Sequence, residues 1–249
     1  NSNLIETKNY FEKKFKNVKV ILSKVNLGMT GGVNLAFKNI KTKYSIYLDM
    51  DINFSKGTIE RFFNFAEKTK NFAFLVPNLQ HSKYPKHFYF EPKNEDSYSI
   101  RLKIAHFHFV FYNMKATKDI GLYDKNIFFY YDETDYCLRA IKKNYNIFLL
   151  KNVKVKHLEN QSYKKNIRLA IEPLRQWHLM WGKFYFNKKH YGSFNAYKYC
   201  LPNLCGSFFK MIFYSFFDGY KCKLHVNRLS GLLNSMFGKK SWKRFENYS

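Results

Sequence analysis

The segment Tyr44-Ser-Ile-Tyr-Leu-Asp49-Met-Asp51 closes an apolar stretch with two carboxylates one residue apart. Carboxylates at the carboxyl end of a strand in an open α/β sheet lie where such folds bind ligands. Two hard oxygen ligands so close suit Mg2+ or Mn2+, which bridges to a diphosphate and neutralises charge on a leaving group. A second acidic group sits in Phe128-Phe-Tyr-Tyr-Asp132-Glu133-Thr-Asp135, where a helix is predicted to start. One acid there would answer the helix dipole. Three in four residues repel one another, which raises a pKa and leaves one group suited to take a proton from a hydroxyl. His157, just past the short strand expected at Val153–Val155, becomes a metal ligand only if partners approach it. The fourth feature is Asn26-Leu-Gly28-Met-Thr-Gly31-Gly32-Val-Asn34. Its glycines allow close backbone approach to a ligand, and the helix after it offers N–H groups to an anion.

The elements that must position these groups alternate between helix and strand. Apolar spacing predicts a helix over Leu4–Phe15 with Leu4, Ile5, Phe11 and Phe15 on one face, then a buried strand at Val18–Leu22. The Gly-rich segment reads as a turn before a helix from about Val33 to Asn39, followed by the strand Tyr44–Leu48. A helix capped near Ser55 would turn Ile59, Phe62, Phe63 and Ala66 inward, and Phe72–Val76 would be a strand ended by Pro77. Residues 78–100 read as loop, His106–Tyr112 as strand, Glu133–Lys143 as helix, and Ile147–Leu150 and Val153–Val155 as short strands. The alternation predicts a mostly parallel sheet flanked by helices. From Asn166 onward Ile167, Ala170, Ile171, Leu174, Trp177 and Trp181 keep helical spacing, so residues 1–165 read as an α/β domain and 166–249 as a helical, basic and aromatic appendage.

Forty-three Lys and Arg against 18 Asp and Glu give a net charge of +25, which favours partners that carry phosphate. A nucleic-acid-binding module is the rival reading from another class, and 20% aromatic content would let it stack on bases. No recognition motif supports it, and the two acidic clusters would repel phosphate unless a cation intervened, so no nucleic acid is expected as partner. Four cysteines without a C-x-x-C pair fit a reducing, cytoplasmic setting. No stretch approaches the roughly 18 to 20 apolar residues of a membrane-spanning helix.

In this order and spacing the four motifs resemble the family 2 glycosyltransferases of the GT-A fold, particularly the rhamnosyltransferase-like enzymes that build bacterial surface polysaccharides. The resemblance runs over about residues 1 to 162 and implies an inverting, metal-dependent transferase using Mn2+ or Mg2+. It gives Asn26, Gly28, Gly31, Gly32 and Asn34 to the donor pocket. Asp49 and Asp51 match the D-x-D element, with Asp51 the better metal ligand and Asp49 nearer the nucleotide sugar; His157, followed by Gln161 and Ser162, completes the metal site. Residues 131–135 match the acceptor motif whose second acid is the base, which points to Glu133. The family shows Glu then Asp where this chain has Asp132 then Glu133, so both stand as catalytic candidates.

The same resemblance implies a nucleotide-sugar donor and a glycan or lipid-linked glycan acceptor. The family's first β-α-β unit is not seen, Asn1-Ser2-Asn3 matching the turn that follows it, and the chain is expected to be a fragment. A non-catalytic member of the fold is the alternative within the family. Trp177, Trp181, Phe184, Tyr185, Phe208, Phe209, Phe213, Phe216 and Phe217 alternate with lysines after residue 166, the mixture of helices lying on an anionic membrane surface at its cytoplasmic face. Packing of those aromatics onto the α/β domain is the competing expectation.

Overall fold

The structure, a computed structural model, describes residues 4–80, 84–90, 98–157 and 165–244, the side chains of 165–168 excepted. Asn1 to Asn3, Gln161, Ser162, part of the 78–100 loop and the Ile167 side chain lie outside the described residues. The helices are α1 (Leu4–Lys14), α2 (Gly28–Phe37), α3 (Thr58–Lys68), α4 (Met114–Ile120), α5 (Asp132–Lys142), α6 (Lys165–Phe217) and α7 (Gly219–Met236). The strands are β1 (Tyr44–Leu48), β2 (Ile52–Phe54), β3 (Phe72–Gln80), β4 (Ser99–Arg101), β5 (Phe109–Asn113) and β6 (Asn146–His157).

One sheet carries them in the order β1-β5-β3-β6-β2, with β4 also on β6. β3 runs along one edge of β6, while β4 pairs with Phe148–Leu150 and β2 with Val155–His157. The Phe72–Val76 run is apolar without alternation because β3 is covered on both faces. Phe74 and Val76 pack with Val33, Phe37, Tyr112, Tyr136 and Ala140 on one side. Phe72 and Leu75 pack with Phe62, Ala66, Phe109 and Val155 on the other.

The α/β architecture with a long helical C-terminal region is the expected one, and one detail differs. The sheet is mixed: β3–β6 is its parallel pair, while β1–β5, β3–β5, β2–β6 and β4–β6 are antiparallel. β1, β3 and β6 do share a direction, but β5 inserts between β1 and β3 with the opposite sense, which alternation of helix and strand along the sequence does not reveal.

Several boundaries also move. Residues 18–22 form no strand; Val18, Ile21 and Leu22 stay 42%, 41% and 39% exposed, and the Val20 N–H donates to Glu12 Oε1 at 2.8 Å. α1 forms but buries none of its side chains, so Leu4, Ile5 and Phe11 remain exposed. A strand needs a partner ladder, and β1 pairs with β5 alone among the described strands. Gly28, Gly31 and Gly32 lie inside the first turns of α2 rather than ahead of it. α3 starts at Thr58 behind Gly57 in a left-handed conformation, and of its expected inward residues Phe62 and Ala66 are buried while Ile59 and Phe63 are half exposed. β3 continues through Pro77 because a register shift between Pro77 and Asn78 absorbs the missing donor. The two short strands after α5 are one strand, β6.

After residue 165, α6 runs to Phe217 with a kink at Gly192, and α7 folds back on it. The aromatic series divides. Trp177, Trp181 and Phe184 are buried, whereas Phe209, Phe213, Phe216 and Phe217 are more than half exposed. Trp177 Nε1 donates to Ser230 Oγ at 3.1 Å and Trp181 Nε1 to the Lys239 carbonyl at 3.0 Å, which pins α6 to the chain end. At the crossing, a Cβ on Gly231 would sit 2.3 Å from the Trp177 carbonyl oxygen. Backbone cannot yield as a flexible side chain can, so Gly231→Ala is expected to destabilise the protein by about 2 kcal/mol, the ordinary cost of overpacking. Thermal unfolding would check it; an unchanged midpoint would mean the helices are not in close contact there.

Candidate active site

Strand register assembles the acidic site. In the β1–β5 ladder Leu48 faces Phe109, and one step further the Asp49 N–H donates to the His108 carbonyl at 2.9 Å. In the β2–β6 ladder Ile52 faces His157, which brings the preceding residue, Asp51, to that imidazole. Leu48 and Ile52 are four Cα steps apart, at most about 14 Å of chain. Five flat strands would span about 19 Å from first to last, so the sheet must curl at this end. The stacked rings of His108 and His157, 4.2 Å apart and 27° from parallel, mark where its two sides meet.

Each of three histidines there faces one carboxylate. His108 Nδ1 lies 2.9 Å from Asp49 Oδ2, His157 Nε2 lies 3.2 Å from Asp51 Oδ1, and His106 Nδ1 lies 3.7 Å from Glu133 Oε2. The other Asp49 oxygen accepts from the Tyr47 hydroxyl at 2.6 Å. Burial, and then the bond to Asp49, push the Tyr47 phenol well up. For His108, burial alone would lower the pKa, but the bond to Asp49 and the charges of Glu133, Asp49 and Asp51 outweigh it and hold it above its ordinary value. Ligating atoms of Asp49, His108 and His157 lie within 4.8 Å of one another. Mixed oxygen and nitrogen donors so close fit a divalent cation, which would replace the mutual ion pairs with bonds to itself.

The acidic helix start has two environments. Glu133 Oε1 accepts from the Phe107 backbone N–H at 3.0 Å, and its side chain is 32% exposed toward His106. Asp132 is buried, and desolvation, then the charge of Glu133, raise its carboxyl to about 7. Asp135 is built into the fold: Arg139, Lys189 and His190 bond it at 2.8, 2.6 and 2.8 Å, and they hold it below its ordinary pKa although burial would raise it. Tyr130 and Tyr131, just before α5, both have left-handed backbone, φ 62° and 66°, which costs of order 1–3 kcal/mol per residue unless neighbours enforce it. α6 enforces it: Arg175 Nε donates to the Tyr130 hydroxyl at 2.8 Å, and the Tyr131 ring packs on Phe186 and against Gly182. The first half of α6 therefore positions the acids.

The Gly-rich segment is occupied chiefly by the protein itself. Asn26 Oδ1 accepts from the Gly28 N–H at 2.9 Å, and Gly28 has φ +68° with Phe128 filling the place of a Cβ. Asn34 staples α2 to the chain before α5, donating to the Tyr123 carbonyl at 2.9 Å and accepting from its N–H at 2.8 Å. Gly31 packs on Leu27, while Gly32 is open and lines a shallow cleft of about 460 Å³ with Lys19, Ser23, Asn26 and Gly28. Of the five, Asn26, Gly28 and Gly32 face the space a ligand could enter. Sequence reasoning missed His106 and His108; the signal was a His-x-His step just ahead of β5, facing the D-x-D step just past β1.

Residues 6–121 match the family model for glycosyl transferase family 2, a span that holds the Gly-rich segment, Asp49, Asp51, His106 and His108 and stops before Glu133 and His157. In fold the chain is similar to the mannosyltransferase PcManGT from Pyrobaculum calidifontis, solved in complex with GDP-Man and Mn2+. The two share 11% identity and a TM-score of 0.57 over 96% of this chain and 76% of that one. It is also similar to GalNAc-T7 solved with UDP, GalNAc and Mn2+, at 13% identity and a TM-score of 0.54, over 76% of this chain and 43% of that chain. No curated protein matches the sequence.

The Asp132 environment gives a stability test. A carboxyl whose folded pKa, about 7, lies above its unfolded value keeps its proton longer when folded. Stability from this group is therefore lost as pH rises from about 4 to 7. Asp132→Asn removes that slope. In EDTA, the variant is expected to match the wild type near pH 4 and to exceed it by up to about 4 kcal/mol at pH 8, one pKa unit being worth about 1.4 kcal/mol. Urea melts at both pH values check this; equal stability at pH 8 would mean that Asp132 is charged there without penalty.

Proposed function

We propose that this chain, a family 2 glycosyltransferase, moves a sugar from a nucleotide-sugar donor to a hydroxyl of a glycan or lipid-linked glycan acceptor, with inversion at the anomeric carbon. The observation that carries the reading is the set of carboxylates paired with histidines at one end of the sheet. Similar folds solved with Mn2+ beside a nucleotide or nucleotide sugar support it. Asp49, Asp51 and His157 would hold the ion. A divalent cation bound there supplies positive charge against the diphosphate as it departs.

Glu133 is the base in this reading. It is partly exposed, and one of its oxygens is fixed by the Phe107 N–H while the other is turned to His106. Asp132 beside it is buried, its carboxyl raised to about 7 by desolvation and then by the charge of Glu133. The acceptor oxygen attacks the anomeric carbon, the bond to the diphosphate oxygen breaks and leaves its electron pair there, and the acceptor proton passes to Glu133. Asn26, Gly28 and Gly32 line the cleft assigned to the donor; Asn34 and Gly31 support α2 beneath it.

Activity is tested by nucleoside diphosphate release and sugar transfer across a panel of UDP- and GDP-sugars. Asp51→Ala and excess EDTA are each expected to abolish transfer. Glu133→Gln should keep donor affinity and lose about two to four orders of magnitude in rate. Turnover undiminished in EDTA would sink the metal-assisted reading, and an unaffected Glu133→Gln beside a dead Asp132→Asn would move the base by one residue.

No described helix is long and apolar enough to cross a membrane. The exposed face of α6 beyond Gly192 combines Phe209, Phe213, Phe216 and Phe217 with Lys210. We assign this face to an anionic bilayer surface at the cytoplasmic side, where a lipid-linked acceptor would be met. Because the first half of α6 holds the active-site tyrosines, the test uses point changes rather than truncation. Wild-type chain should sediment with anionic liposomes at low salt, and Phe209→Ser, Phe213→Ser and Phe216→Ser together should abolish this while sparing transfer to a soluble acceptor. Equal sedimentation of wild type and triple variant would place membrane contact elsewhere.

A further inference from the structure

We propose that His108 is a protein ligand of the bound ion and that, with His157, it makes the site select first-row transition ions over Mg2+. This rests on the reading that the site works with a divalent cation.

His108 is near Asp49 by register rather than by chance of a flexible side chain, since the Asp49 N–H bonds to its carbonyl at 2.9 Å. Its imidazole then stacks on His157 at 4.2 Å and joins that residue and Asp49 in a group whose ligating atoms lie within 4.8 Å. The bland alternative is that His108 only orients Asp49. Yet Tyr47 already fixes one Asp49 oxygen at 2.6 Å, the part that an outer hydrogen-bond partner plays at metal sites. His108 instead brings a ring nitrogen to the oxygen that faces the cluster, 2.9 Å away.

The chemistry of such a donor set differs from that of two carboxylates alone. Mg2+ prefers oxygen ligands in near-ideal octahedral order and gives up its water reluctantly. Imidazole nitrogen favours the transition ions, with affinity rising from Mn2+ to Co2+ and beyond. Neutral imidazoles also add bonds without adding negative charge. Asp49 then supplies the carboxylate of the group, with Asp51 the next acid at 3.2 Å from His157 Nε2, whereas a further carboxylate in place of His108 would repel the diphosphate.

The experiment titrates the full chain with Mn2+, followed by electron paramagnetic resonance of the free ion, alone and with GDP or UDP. Mg2+ competes in the same assay, and Co2+ absorption reports ligand geometry. Wild type should bind Mn2+ at least about tenfold more tightly than Mg2+. His108→Asn keeps a donor for Asp49 but is a poor ligand. It should weaken Mn2+ by about tenfold or more, narrow the Mn2+ to Mg2+ ratio and change the Co2+ spectrum. His108→Asp should move the preference toward Mg2+, with circular dichroism confirming that both variants fold. If both fold and leave Mn2+ affinity and the ratio within twofold of wild type, His108 is no ligand and this inference fails while the transferase reading stands. If wild type binds no divalent ion under any of these conditions, the metal-assisted reading fails and this inference with it.

Discussion

Two antiparallel ladders, β1 with β5 and β2 with β6, are joined by the three-residue step Asp49-Met50-Asp51, and everything at the acidic site depends on both keeping register. A slip of one residue in either ladder would turn its carboxylate to the opposite face of the sheet and leave a histidine without its acid. The step is too short to cross a flat sheet, so the curl that brings His108 onto His157 is a consequence of chain length. Met50, at the apex, is fully exposed, which lets both flanking aspartates face the site.

A second constraint comes from charge. The chain is strongly basic, and five of its 18 acids stand in two short clusters, one where β1 ends and one where α5 begins. Left alone, Asp132, Glu133 and Asp135 would disfavour one another and the strained tyrosines before them. α6 supplies the compensation, with Lys189 and His190 on Asp135, Arg175 on Tyr130, and Tyr185 and Lys189 on Asp124. Part of the basic excess thus serves to fix the acidic helix, and the helical region that reads as an appendage is structurally joined to the site.

How much of this could be read from sequence depended on whether the signal was local. β1 was legible because an apolar pentapeptide ahead of D-x-D reads as a strand end in an α/β chain, although the two acids alone fit a turn or helix cap as well as a ligand site, and α5 because its acids and basic last turn match a helix dipole. β3 was legible as a buried run, but its passage through Pro77 needed the bulge that only pairing reveals. The antiparallel insertion of β5, and with it the arrival of His108 beside Asp49, is a long-range fact that no periodicity encodes. The Val18–Leu22 segment had strand composition without a ladder to join. In the Gly-rich segment, residue types pointed to a ligand, whereas Phe128 and Tyr123 account for Gly28 and Asn34.

The central claim is that the end of this sheet holds a divalent ion against a nucleotide diphosphate, and crystals grown with Mn2+ and GDP or UDP would test it most directly through the anomalous signal of manganese. The account predicts one strong peak within bonding distance of the Asp49 carboxylate and the His157 imidazole, with diphosphate oxygens completing its shell. A bound nucleotide with no manganese at those residues, or manganese and diphosphate together at another place on the chain, would contradict it.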